Sequence, residues 1–421
     1  MGQHTRTTAS RSAPDPPAGR KRSMWNLGTG EVTVILVCAL VAVWTTIVWV
    51  VPFRQPVLGG DFIQFYTFGT AARLGDWTIQ YDWPAFHALQ VSLVPTSDPH
   101  FYPPTYPPLV PGLYAALSLL PFPAAYASWV LFSSVMYGGL IAIAARGCVS
   151  VSRRHVLMAC LLFPPFVAHQ TIGQSTIWPL LGFVSGWWAL TQSRPLAAGL
   201  VLSVVAIKPH LGMALAIVLL TMRLWRIVGG VLLGLAFQAG ITVAVCGREA
   251  VVAYFTTTLR VLGDTTLIEP KDERFTHALR MSLESLVPHG VATIGWLAAS
   301  TFFGWLVVSV WRHSEDWALR ISALLLATLL ISPHVLAYDA ILLAPATLWL
   351  ACWAASTRQA AVLIGLIVLA VAFVIPSARL WGIPLTLPLM GWLLWRCRAV
   401  QYWKPPNGKI VARGDLASVV A

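Results

Sequence analysis

Charge is what this sequence has least of. Of its 421 residues only 10% are Asp, Glu, Lys or Arg, against roughly 25% in soluble domains. A surface so poor in charge does not stay in water, which excludes the two or three soluble domains that this length would otherwise suggest. Other absences narrow the function. Cys38, Cys148, Cys160, Cys246, Cys352 and Cys397 show no CxxC spacing, so the usual zinc and dithiol signatures are missing. There is no DxD pair and no His pair at i, i+4, and no metal is expected. No Gly-rich phosphate loop follows a strand, so nucleotide binding has no support. The net charge of +12 does not point to nucleic acid, because no basic helix carries interleaved aromatics.

What is present is apolar sequence in long runs, 57% of the chain being hydrophobic. Val32–Val51, Ala124–Ala145, Val156–Ser193, Ile227–Gly247, Gly290–Trp311, Ala340–Thr357 and Gln359–Ala378 contain no Asp, Glu, Lys or Arg. A bilayer core needs about 20 apolar residues per helix, so the chain reads as an all-α integral membrane protein of about 10 to 12 transmembrane helices. The cations fall between the runs: Arg146, Arg153 and Arg154, then Arg223 and Arg226, Arg312 and Arg320, Arg358, and the tail from Arg396. That is the positive-inside pattern.

Residues 1–30, with Arg6, Arg11, Arg20, Lys21 and Arg22, read as a disordered cytoplasmic tail. The first run is too long for a signal-peptide core and is read as a retained helix. Residues 31–396 form the membrane domain, and 397–421 a second cytoplasmic tail. Helix 32–52 leads outside to a large aromatic-rich loop, 53–106, with amphipathic helices expected at Phe62–Leu74 and Trp83–Leu93. Gly75 is the stop of the first, and both are expected at the membrane interface. A second outer loop is expected at 248–289. Leu109–Leu120 is a half-span or a surface helix, since as a full span it would put Arg146–Arg154 outside.

Polar islands interrupt the apolar chain. They are Gly59-Gly60-Asp61-Phe62, Tyr102 to Pro108, Gly173-Gln174-Ser175, Lys208-Pro209-His210, and Ser332-Pro333-His334 with Tyr338-Asp339. Polar groups at membrane depth are expensive and mark function. All can reach one face, Lys208 on condition that Leu196–Met222 forms two short helices broken at Pro209. Asp61 is either an N-cap, a place Asp fills well, or a general base for a sugar hydroxyl. Asp82 has the same cap-like setting. Lys208 either snorkels or holds a phosphate as a point charge. His334 is a cap histidine, a phosphate donor or a proton-transfer partner. Gln174 satisfies a helix break or binds sugar hydroxyls, Asp339 caps a helix or takes part in chemistry, and Tyr102 stiffens the chain or stacks on a sugar.

In this order the islands resemble glycosyltransferase family 87, the polyprenol-phosphate-mannose-dependent mannosyltransferases of the GT-C class. The likeness runs over about residues 30–395 through Gly60-Asp61-Phe62, Phe65-Tyr66, Gly69, Ala72, Gly75, Tyr81-Asp82, Gln90, Tyr102-Pro103-Pro104, Gly173-Gln174, Lys208-Pro209-His210, Ser332-Pro333-His334 and Tyr338-Asp339. The resemblance implies a GT-C-type helical bundle in the cytoplasmic membrane, active on its extracytoplasmic face. It implies a polyprenyl-phosphate-linked sugar as donor, a glycolipid or lipoglycan as acceptor, inversion at the anomeric carbon and no cofactor. Asp61 matches the position of the base. Lys208, His210, His334 and Arg280 are then candidates for the donor phosphate, and Tyr66, Tyr102, Gln174, Tyr338 and Asp339 for sugar or acceptor. Three alternatives stand beside this reading: an arabinofuranosyltransferase of the same class, a lipid-linked-sugar transporter or flippase, and an assembly factor without activity.

Overall fold

The computed structural model describes residues 59–95, 101, 104–148, 163–263 and 278–356. Helix 32–52, both tails, Tyr102, Arg153, Arg154 and everything after 356 lie outside them. Among the described residues there is no β-strand. Three helices are long and apolar enough to cross a membrane: α3 (Phe122–Ala144), α8 (Trp225–Gly263) and α10 (His289–His313). Shorter apolar helices fill the space between them. The protein is an all-α membrane protein.

The outer-loop helices form where expected, as α1 (Phe62–Arg73) and α2 (Trp83–Leu93). Gly75 follows α1 with φ 80°. The setting of α1 differs from the expectation. Every residue from Phe62 to Ala72 is buried, so α1 is enclosed by protein and does not lie flat at an interface. Aromatic packing is the reason. Phe65 stacks on Tyr114 at 4.7 Å and meets Tyr106 edge-on at 5.2 Å, while Phe62 lies 5.6 Å from Tyr126. Leu109–Leu120 supplies part of this casing as short 3-10 turns, Val110–Tyr114 and Leu117–Leu119. It is no span, and Arg146 therefore follows a single crossing, α3.

The remaining described helices are α4 (Pro164–Ile172), α5 (Ile177–Thr191), α6 (Pro195–Leu202), α7 (Met213–Thr221), α9 (Leu279–Glu284), α11 (Trp317–Ile331) and α12 (Leu343–Ser356). Their directions can be read from close contacts. Gly182 and Gly186 of α5 face Val205 and Leu202, so α5 and α6 run antiparallel. Gly230 faces Leu196 and Gly234 faces Ser203, so α8 runs parallel to α6. The apolar stretches Pro195–Ile207 and Pro209–Thr221 thus make a hairpin with Lys208 at its bend. Each arm is about 20 Å long at helical rise, shorter than a hydrocarbon core of about 30 Å.

Arginines gather at one end of the hairpin. Arg194 and Arg226 line one cavity of about 520 Å³. Arg146 stacks over Trp188 near the end of α5, at that same end. At the other end lie the hairpin bend, the start of α1 and the turn at 332–342. There Gly247 breaks α8 with φ 81° and ψ 165°, a conformation essentially restricted to glycine. The expected outer loop 248–289 is helical as far as Gly263. This second half of α8 lies over the first loop, with Tyr254 against Tyr81 at 6.1 Å and Arg260 over Trp83 at 5.5 Å.

The α6–α8 crossing predicts opposite effects of one substitution at two glycines. A Cβ on Gly199 would lie 2.0 Å from the Ile227 carbonyl oxygen, whereas one on Gly240 meets nothing within 4 Å. Gly199→Ala should lower thermal stability in detergent by about 1–3 kcal/mol. Gly240→Ala should raise it by up to about 1 kcal/mol.

Candidate active site

The site begins at a helix end that is not capped in the usual way. Asp61 occupies the N-cap position of α1, but its side chain makes no capping hydrogen bond. Asp82, in the same place on α2, does cap: its Oδ1 accepts from the Ala85 amide at 3.2 Å. The Asp61 carboxylate turns instead to Gln174, whose Nε2 donates to Oδ2. The contact joins residues 113 positions apart, and Gly173 permits it. Gly173 adopts φ 75°, and a Cβ there would lie 2.5 Å from the Cβ of Phe62. Only glycine both turns the chain out of α4 and lets α1 approach so closely.

Behind Gln174 lies a closed polar network. Lys208 Nζ donates to Asp339 Oδ1 at 2.9 Å, to Thr176 Oγ1 at 2.8 Å and to Gln174 Oε1 at 3.2 Å. An ammonium has three N–H donors, and all three are engaged. Thr176 Oγ1 donates to Asp339 Oδ1 at 2.6 Å, and Asp339 Oδ2 accepts from the Leu336 amide at 3.0 Å. Gln174 Oε1 also accepts from the Ser175 amide at 3.0 Å and from the Tyr106 hydroxyl at 3.3 Å. Ser175 Oγ donates to that hydroxyl in turn at 3.0 Å. Lys208 and Asp339 are 5% and 1% exposed, so each offsets a charge that would be unstable alone. The Tyr338 ring covers the ammonium at 4.9 Å, and its hydroxyl faces Asp61.

Asp61 is only partly buried. Burial pushes its carboxyl above the ordinary 3.8, while the Gln174 hydrogen bond and the Lys208 charge pull it back. His210 and His334 are half-buried at the same end, with rings 6.1 Å apart and perpendicular. His210 Nε2 has no hydrogen-bond partner among the described residues. Burial holds His334 below the ordinary imidazole range of about 6.5 and so favours its neutral form.

The islands converge, but not every expected residue joins them. The Tyr66 hydroxyl donates to the Leu120 carbonyl at 2.9 Å and so ties α1 to its casing. Arg280 pairs with Glu284 on α9 at 2.9 Å and lies over Trp296. Asp339 caps its own turn through Leu336 and is closed off by Lys208. Sequence reading passed over Thr176, which carries no charge, and His169. His169 is 0% exposed, with both ring nitrogens unpartnered among the described residues. Its signal was an ionisable side chain inside the Val156–Ser193 run.

A helical membrane protein with a buried ion pair behind one open carboxylate and two imidazoles is the class these features define. The family model for glycosyltransferase family 87 matches residues 105–333, more than half of the chain, and the protein belongs to that family. No curated protein and no solved structure matches it. The match includes Tyr106, Gln174, Lys208 and His210. Asp61, His334, Tyr338 and Asp339 fall outside it and are joined to it by the contacts above.

The ion pair predicts a stability pattern. Asp339→Asn leaves Lys208 buried without a counter-charge and should cost about 3–5 kcal/mol. Adding Lys208→Met should recover most of that loss, as thermal unfolding in detergent would show.

Proposed function

We propose that this membrane glycosyltransferase moves one sugar, mannose, from a polyprenyl-phosphate donor to a hydroxyl of a glycolipid or lipoglycan, with Asp61 as general base. The observation that carries this reading is the contrast between the two carboxylates. Asp339 is closed off and neutralised by Lys208, whereas Asp61 is partly open and is not used as a cap. Of the two, Asp61 is the one open to a substrate's proton. With the end that gathers Arg146, Arg194 and Arg226 in the cytoplasm, Asp61 and the histidines face the outer side of the cytoplasmic membrane.

The chemistry is a single displacement. Asp61 takes the proton of the acceptor hydroxyl as that oxygen bonds to the anomeric carbon. The bond from that carbon to the phosphate oxygen breaks, and polyprenyl phosphate leaves with the electron pair. A β-linked donor gives an α-glycoside. The leaving phosphate needs hydrogen-bond donors, and His210 and His334 supply them. An anion beside a neutral imidazole favours its protonated form, so arrival of the donor turns His334 toward a cation. Tyr106, Tyr338 and the Tyr102–Pro108 segment are candidates for sugar contact. Tyr66 and Arg280, held as described, serve packing better than binding.

The test is transfer by purified protein in lipid nanodiscs, from polyprenyl-phosphate mannose to a phosphatidylinositol mannoside, followed by mass spectrometry. The expected result is product with wild type and a loss of at least about a hundredfold with folded Asp61→Asn. Equal transfer by both would reject Asp61 as base, and transfer only from an arabinofuranosyl donor would reject mannose. No transfer from either donor would favour the transporter reading. The pH profile carries a sign. Asp61 works ionised and its pKa is raised, so kcat/KM should fall on the acid side at a pH above the usual carboxylate value of about 4.

A further inference from the structure

We infer that Lys208 is a positioning residue: paired with Asp339, it locks the Gln174 side-chain amide in the one orientation that aims Nε2 at Asp61. This rests on Asp61 being the base. An amide has two faces, an oxygen that accepts and an NH2 that donates. Three donors converge on Gln174 Oε1: the Lys208 ammonium, the Ser175 amide and the Tyr106 hydroxyl. Reversing the amide would set NH2 against the ammonium and the Ser175 amide, neither of which can accept. The oxygen is therefore held toward Lys208, and the NH2 group has Asp61 Oδ2 before it. Gln174 thereby fixes Oδ2, and the Tyr338 hydroxyl is the carboxylate's second partner, the one an acceptor hydroxyl would displace or join.

The same geometry takes Lys208 away from the role of phosphate ligand. Its three N–H groups already meet Asp339, Thr176 and Gln174, and Asp339 balances its charge. Donating to a phosphate would break one of these bonds and release the lock. Thr176 completes the device, accepting from Lys208 while donating to Asp339. Asp339 thereby fixes the lysine, the lysine fixes the glutamine, and the glutamine fixes the base.

The test separates an action through Gln174 from direct contact with the donor. Lys208→Met/Asp339→Asn removes the pair without leaving a buried charge. It should lower kcat about a hundredfold, as a misplaced base does, and keep the KM for polyprenyl-phosphate mannose within about threefold. The acid limb of kcat/KM should move up by about one pH unit. Gln174→Met should give the same signature, and combining all three substitutions should be no worse than Gln174→Met alone. A donor KM raised tenfold or more with the acid limb unmoved, or additive losses, would overturn the proposal. Should the double variant fail to fold, Lys208→Arg decides. Its fork suits phosphate, so a phosphate ligand would keep kcat and the acid limb, whereas a lock would lose both at unchanged KM.

A readout without turnover keeps this apart from the enzyme reading. The folded protein binds the Asp61 proton more tightly than the unfolded chain. Relative to Asp61→Asn, stability therefore declines as pH rises from about 3.8 to the folded pKa, then levels off. In the lock variants this decline should extend to higher pH. If it does while wild type transfers no sugar, the lock stands and the transferase reading falls. If the decline ends at the wild-type pH, the lock falls whatever the enzyme does.

Discussion

The ion pair between Lys208 and Asp339 is the interaction on which the rest of this site depends. Two charges in apolar surroundings are tolerable only when paired and fully hydrogen-bonded. That requirement draws together the hairpin bend, the turn between α4 and α5, and the turn after α11. Each of these is a backbone interruption among apolar helices, and interruptions at membrane depth persist only where protein satisfies their polar groups. The pair therefore anchors three weak points of the fold to one another, and the aromatic casing around α1 brings the fourth element, Asp61, to the same place.

Two neighbouring carboxylates are thereby given different characters. Asp339 is saturated and closed off. Asp61 is partly open, raised by burial and held by a neutral amide in place of a cation. Holding a base through an amide keeps it in position without the strong depression of basicity that a direct lysine contact would bring. The cation acts from one residue further away, and that fits the base proposed for Asp61, which must both ionise and accept a proton.

Much of this was legible in the sequence. Membrane class followed from the scarcity of charge. The bend at Pro209 and the bounds of α1 and α2 followed from proline, glycine and periodicity, and the convergence of polar islands followed from the cost of polar groups in lipid. Other features were not legible, for a physical reason. Whether Asp61 caps α1 or faces a partner depends on Gln174, 113 residues away, and local spacing carries no trace of that. Thr176 is essential to the network yet chemically ordinary. The partners of Lys208 were hidden too, because a lone cation shows its charge but not what pairs with it. The enclosure of α1 was hidden because aromatic casing from distant segments leaves no mark on the helix's own pattern.

The protonation state of Asp61 is the central claim, and infrared difference spectroscopy measures it directly. Spectra of wild type minus Asp61→Asn would be followed through a pH titration in nanodiscs. The account predicts one carboxylate band that gives way to a protonated carbonyl band at a midpoint above the ordinary carboxylate value, with the midpoint moving further up in Gln174→Met. An ordinary midpoint that Gln174→Met leaves in place would contradict it.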